Sequence, residues 1–307
     1  MIQGAFFGLT AAAIWGGMYV VSDIVLDTIP PFTLLTIRLV IAAIILGIIA
    51  RRLRGTAYPN RRQLLTLLGV GIVGFGISVG AQFVGTDKST AVNGTLITSA
   101  SPAFILVFAA LILREKLKLQ HIAAVLLATV GVIIIIDPAN INFSSETFIG
   151  DAALAVAAVT WGLYSVLVRR VSAQFDTLVV SLFAIIGGMI ITLPASVVEL
   201  GSRPLGEITV GVLLGIAYLG VISTAVAMWM WNRAFALVDA SIASLFFFAQ
   251  PLVGVLLIVL VLNQTMTRTL WIGSALIVVG VLLSILNFRS DASRKTAGLD
   301  IVEHEKM

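Results

Sequence analysis

Residues 91–132 read AVNGTLITSASPAFILVFAALILREKLKLQHIAAVLLATVGV, and residues 240–281 read ASIASLFFFAQPLVGVLLIVLVLNQTMTRTLWIGSALIVVGV. Set 149 positions apart, the two stretches align without a gap: Ala91 meets Ala240, Pro102 meets Pro251, and Gly131-Val132 meets Gly280-Val281. Upstream of each block, Trp15-Gly16 has a counterpart in Trp161-Gly162. The chain therefore repeats itself, with one copy in residues 1–140, a second in 141–288, and a polar tail in 289–307.

Each copy holds five apolar stretches. In order they are 4–26, 32–50, 64–84, 91–113 and 122–136, then 149–168, 178–198, 209–231, 241–262 and 270–288. About 20 apolar residues in helical conformation cross a bilayer. Strands of a membrane barrel would be shorter and would alternate in polarity. The expected fold is an all-α membrane protein of ten transmembrane helices. Because five is odd, the second copy enters the membrane from the opposite side. Two inverted five-helix repeats are a plan typical of secondary transporters.

The bulk figures agree. Of 307 residues, 59% are hydrophobic and 11% charged, against roughly half and a quarter in soluble domains. Mean hydropathy is +1.10. Such a chain cannot cover its surface with polar groups in water, which excludes a soluble enzyme, a disordered protein and a nucleic-acid binder. The first stretch is too long for a signal peptide and has no basic residue before it, so it reads as a retained span.

The nineteen Lys and Arg residues report topology. Fifteen, from Arg51, Arg52 and Arg54 to Lys306, fall on one side of the predicted membrane; Lys88, Arg203 and Arg268 fall on the other. That bias puts both termini in the cytoplasm of a cell whose inner membrane the protein spans many times. The net charge of +4 is then a topology signal and not the mark of an anionic partner.

Arg38 is left over, about six residues inside the second span. A buried arginine needs a partner, protein or water. Asp23, near the outer end of span 1, is the expected one. The pair reads as a substrate contact or gate, or as a structural link between spans 1 and 2. Asp23 is also the one acid clearly inside a span, and so the candidate for proton coupling if flux is not simply facilitated.

Other candidates sit at mid-depth. Pro102 and Pro251 are central in their spans, where proline removes a helix hydrogen bond and frees the carbonyls of Thr98 and Phe247; bent helices or hinges at the substrate path are expected. Trp15 and Tyr19 share one face of span 1, and Trp161 and Tyr164 occupy span 6, away from the interfacial aromatic belts. Trp229 and Trp231, near the cytoplasmic end of span 8, fit such a belt. Gln82, Asn93, Ser101 and Gln250 are polar groups at depth that could bind substrate or neighbouring helices. Glycines crowd span 3, with Gly76 and Gly80 making a small-xxx-small packing step; without a strand-to-helix setting they make no phosphate loop.

Chemistry by other routes finds little material. There is no cysteine and there are two isolated histidines, so no metal set is expected, and no cofactor motif or Walker sequence is present. An intramembrane enzyme would need paired acids, a metal-ligand motif or an activated nucleophile. A channel would need rings of charge or filter carbonyls.

Taken together, these motifs resemble the drug/metabolite transporter superfamily, and within it the EamA-type ten-span carriers, over residues 4–288. The resemblance rests on Ile14-Trp15-Gly16 in span 1, on Pro31-Phe32-Thr33 followed by Arg38, on Ser101-Pro102 with Leu113-Arg114-Glu115-Lys116-Leu117 at the end of span 4, and on Gln250-Pro251. Two departures stand out. Arg114 replaces the family's usual glycine, and Asn263-Gln264 replaces Gly-Glu in the second copy. The resemblance implies a non-enzymatic carrier with a central cavity shared by the two halves. It implies export of a small metabolite, such as an amino acid, by alternating access. The bilayer and the substrate are the expected partners of a monomer or weak dimer.

Overall fold

In a computed structural model of the chain, residues 2–53, 59–89, 97–136, 147–254 and 271–280 are described, with the isolated positions Gly94, Arg268 and Leu282. All regular structure among these residues is helical. Six helices are long and apolar enough to cross a membrane: α1 (Ile2–Leu26), α2 (Pro31–Arg52), α3 (Arg61–Lys88), α6 (Phe148–Val171), α7 (Thr177–Ser202) and α8 (Val210–Leu237). Four shorter apolar helices accompany them: α4 (Ser101–Leu113), α5 (Leu119–Ile136), α9 (Ala240–Gly254) and α10 (Trp271–Gly280).

Local chemistry sets the helix starts. Pro31 supplies the first residue of α2, where its missing N–H costs nothing. Asn60 and Gln63 bond each other's backbone N–H in a capping box that opens α3. Asp176 caps α7 through the Leu178 N–H at 2.8 Å, and Thr209 caps α8 through the Val212 N–H at 3.3 Å.

Two helix starts are capped from a distance. The Glu199 carboxylate, at the end of α7, accepts from the N–H groups of Phe32 and Thr33 at 3.2 and 2.9 Å. Glu115, just after α4, accepts from the N–H groups of Ala240 and Ser241 at 2.9 and 3.1 Å. In both cases an anion satisfies helix N–H groups that would otherwise be unpaired.

Packing is organised in matched sets. Helix α1 lies against α8 and α9, while α6 lies against α3 and α4; α2 packs on α7 and α8, and α3 on α7. Glycines set the closest approaches. A methyl at Gly131 of α5 would stand 2.6 Å from the Gly273 carbonyl oxygen of α10, and one at Gly280 of α10 would stand 2.8 Å from the Ala124 carbonyl oxygen of α5. In the same way Gly16 faces the Gln250 carbonyl and Val253, and Gly162 faces Phe104 and the Ile105 backbone. Large apolar side chains such as Ile44, Leu111, Leu126, Val198 and Leu214 are exposed on the outside, as lipid-facing residues must be.

Two long helices are widened within their length. Ile72–Val79 in α3 and Tyr218–Val226 in α8 both adopt π-helical turns. Such turns are rare, leave backbone groups for other partners, and occur often at functional sites.

Candidate functional site

A cavity lies between α1, α3, α6, α8, α9 and the chain leading into α4. Trp15, Gln82, Ser101, Trp161 and Gln250 line it, with Met18, Ser78, Val79, Thr98, Ala157, Met228 and Phe247. Its volume is about 30 Å³, roughly the share of one water in the liquid. The site is therefore small. Its walls are mostly apolar, yet two polar atoms in them, Ser101 Oγ and Trp161 Nε1, are buried without a hydrogen-bond partner. Buried polar atoms are nearly always paired, so these are unused donors at the cavity wall.

The aromatic wall is one connected cluster. Trp15 meets Trp161 edge-on, with ring centroids 5.4 Å apart at 81°, and lies 5.3 Å from Trp231. Phe247 stands 5.8 Å from Trp231. The cluster corrects the interfacial-belt reading of Trp231: that side chain is fully buried and its indole N–H donates to Ser165 Oγ at 3.2 Å. Its position between Met228 and Phe235 on one face of α8 is the sequence signal for this burial, and hydropathy alone does not carry it. Tyr164, expected at the cavity, stands behind Trp161 instead, donating to Asn232 Oδ1 at 3.0 Å.

The two matched prolines do not bend continuous helices. Ser99-Ala100 and Phe247-Phe248 each form a turn, and Pro102 and Pro251 follow within the first residues of the renewed helix. Three-residue backbone bonds bridge both breaks, from Ala100 N–H to Ile97 O, from Phe247 N–H to Ser244 O, and from Phe248 N–H to Leu245 O. The cavity residues Ser101 and Gln250 sit at these breaks. A break costs less than a kink here because a proline near a helix start forfeits no hydrogen bond.

Arg38 does not line the cavity but stands behind Met18, whose sulfur is 3.6 Å from Nη2. Its Nε donates to the Leu219 carbonyl at 3.3 Å and to Thr224 Oγ1 at 3.0 Å, and Nη2 donates to Ser223 Oγ at 3.3 Å. The guanidinium carbon lies 4.9 Å from the centre of the Phe83 ring. All three oxygen partners, one carbonyl and two hydroxyls, belong to the π-helical stretch of α8. Trp15 Nε1 donates to the Ser223 carbonyl of the same stretch at 3.0 Å. One arginine and one cavity tryptophan thus hold a widened helix turn in place. Nη1 is buried without a partner, and no described carboxylate pairs with Arg38. The side chains of Asp23 and Tyr19, and all of Asn93, lie outside the described residues, as do Asn263 and Gln264.

Two ion pairs among the described residues tie helix ends together. Arg203 donates to Asp87 Oδ1 and to the Leu26 carbonyl, both at 2.7 Å, tying the loop after α7 to α3 and α1. At the other end Arg169 donates to the carbonyls of Phe235 and Ala236 at 3.0 and 2.8 Å and pairs with Asp239 at 3.4 Å. Among the described residues no cluster of His, Asp and Glu could hold a metal.

A sequence model of the EamA-like transporter family matches residues 2–137 and again residues 148–286. The chain belongs to the EamA-like transporter family, and is a multi-pass membrane transporter of the drug/metabolite transporter superfamily. The uncharacterized inner membrane transporter YicL of Salmonella typhimurium is 28% identical over 300 residues, covering 94% of this chain and 97% of its own. An uncharacterized transporter of Archaeoglobus fulgidus is 24% identical over 274 residues, covering 88% of this chain and 93% of its own. A solved crystal structure superposes with a TM-score of 0.79 at 23% identity, over 94% of this chain and 99% of that one, and shares the fold.

The family's glycine, replaced here by Arg114, has a physical reading. Arg114 ends α4 with φ of 56°, the left-handed conformation that glycine adopts without steric cost. The next residue, Glu115, is the carboxylate that caps α9.

Proposed function

We propose that the protein is a secondary carrier that exports a small organic metabolite, an amino acid or related compound, by alternating access. In this reading residues 1–140 and 141–288 are two inverted five-helix repeats, ten spans in all, with both termini cytoplasmic and a monomer or weak dimer as the working unit. The observation that carries it is the cavity. Its lining comes from the first, third and fourth spans of each repeat, and it is small, about 30 Å³, with unused donors at Ser101 and Trp161. A small site walled by residues of both halves, with polar groups left to bind, fits the substrate site of an alternating-access carrier. The reciprocal glycine contacts of α5 with α10, and the broken helices at Pro102 and Pro251, support the repeat and the hinges. Trp15, Gln82, Ser101, Trp161 and Gln250 are the proposed substrate contacts, with Arg38 holding the wall behind them.

The test is a thermal-shift screen of purified protein against amino acids, polyamines, sugars and nucleobases, followed by counterflow in proteoliposomes. A ligand that binds only the folded state raises the melting temperature. Trp161→Ala and Gln250→Ala are expected to abolish both the shift and counterflow. Current through single molecules without counterflow would favour a channel, and chemical turnover of the ligand an intramembrane enzyme; either would replace this reading.

A further inference from the structure

A second recess, of about 900 Å³, shares no lining residue with the central cavity. It is built from the start of α1, the end of α2, the start of α7 and the second half of α8. Phe6, Ile49 and Val226 in its wall are exposed, so the recess opens sideways where lipid must lie. Val226, Trp229 and Arg233 follow one another at helical spacing on one stripe of α8. Along that stripe the wall changes from aliphatic to aromatic to cationic, the order of groups from the hydrocarbon to the headgroup region of a bilayer.

The polar rim carries one charge of each sign, from Arg233 and Asp176. Arg233 is half-buried and makes no hydrogen bond or ion pair among the described residues. Asp176 is exposed, and one of its oxygens caps α7. The two groups border the same recess without pairing with each other.

We propose that this recess is a binding site for a phospholipid whose headgroup carries a primary ammonium, such as phosphatidylethanolamine. One acyl chain lies along Phe6, Ile49 and Val226, the phosphate accepts from the Arg233 guanidinium, and the ammonium donates to Asp176. A cation and an anion at one rim, not paired with each other, match a zwitterion. A purely anionic headgroup would bring its charge against Asp176, and a trimethylated ammonium has no N–H to donate to the carboxylate. The proposal stands independently of the transport reading, because it needs only the bilayer.

The experiment is native mass spectrometry of the full chain in detergent, titrated with phosphatidylethanolamine, phosphatidylglycerol and phosphatidylcholine of identical acyl chains. The unaltered protein is expected to retain phosphatidylethanolamine most strongly. Arg233→Gln should weaken that retention about ten-fold, the size of one charge-assisted hydrogen bond, and Arg233→Lys should keep most of it. Asp176→Asn should erase the preference over phosphatidylcholine while α7 stays capped, since asparagine caps as well as aspartate. Val226→Trp, which fills the groove, should lower retention of all three lipids. Equal retention of the three by the unaltered protein, a preference for phosphatidylglycerol, or unchanged binding in both Arg233→Gln and Asp176→Asn overturns the proposal.

Discussion

Arg38 is a full charge with no described carboxylate beside it, held by a carbonyl and two hydroxyls of one helix turn. Burying a charge is costly, and replacing it by an apolar group of similar length is often neutral or better for stability. A shorter cation without the planar fork keeps the cost and loses the hydrogen bonds. Arg38→Lys is therefore expected to be less stable than Arg38→Met by about 1–3 kcal/mol; thermal unfolding in detergent gives the order. If Arg38→Met is the less stable variant, the guanidinium contacts outweigh the desolvation. Arg114 makes the opposite case for a single residue. Its left-handed backbone costs roughly 1–2 kcal/mol, so Arg114→Gly should stabilise the protein by about 1 kcal/mol, since glycine's extra freedom in the unfolded chain offsets part of the relief. A fall in melting temperature on that change would mean that the arginine side chain contributes more than its backbone costs.

Among elements, close helix approach decides what can change. Gly131 and Gly280 each meet a carbonyl of the opposing helix, so a methyl must push two backbones apart. Gly131→Ala and Gly280→Ala should each destabilise by about 1–3 kcal/mol, and by similar amounts because their surroundings are alike. Gly69 has nothing within 4 Å of where its Cβ would stand, and Gly69→Ala should raise stability by about 0.5–1 kcal/mol through helix propensity. Unequal losses at 131 and 280 would count against equivalence of α5 and α10. At this scale the sequence was most legible at the glycines and prolines, because their backbone chemistry does not depend on distant partners. It pointed to bent helices at Pro102 and Pro251, where the structure has a break just before each proline. The choice between bend and break depends on turns two or three residues upstream and on the neighbouring helices that cover them.

For the whole molecule, access to the cavity is the property to test against the two terminal ion pairs. Arg203–Asp87 ties the loop after α7 to α3 at one end, and Arg169–Asp239 ties α6 to the start of α9 at the other. The chain has no cysteine, so a single thiol at the cavity, Ser101→Cys, reports access cleanly. Asp87→Asn should speed labelling of that thiol by an impermeant maleimide from the side of Arg203, and Asp239→Asn from the side of Arg169. Surface ion pairs contribute little on their own, so the effect is expected on access more than on stability. Unchanged labelling in both variants would remove the ion pairs as gates.

The sequence by itself determined the class. Long apolar runs can only lie in lipid as helices, and the matched Trp-Gly pairs, 146 residues apart, with the Ser/Gln-Pro pairs, 149 apart, pointed to the cavity residues Trp15, Ser101, Trp161 and Gln250. These signals are local, since they depend on hydropathy and on backbone chemistry. Only the tertiary structure decided the partners. Arg38 finds its acceptors on a helix turn 181 to 186 residues away, Trp231 turns inward, and Tyr164 stands behind the cavity. Hydropathy treats lipid and protein interior as the same medium. Which of the two a membrane side chain meets is therefore set by how closely the glycine-lined helices approach.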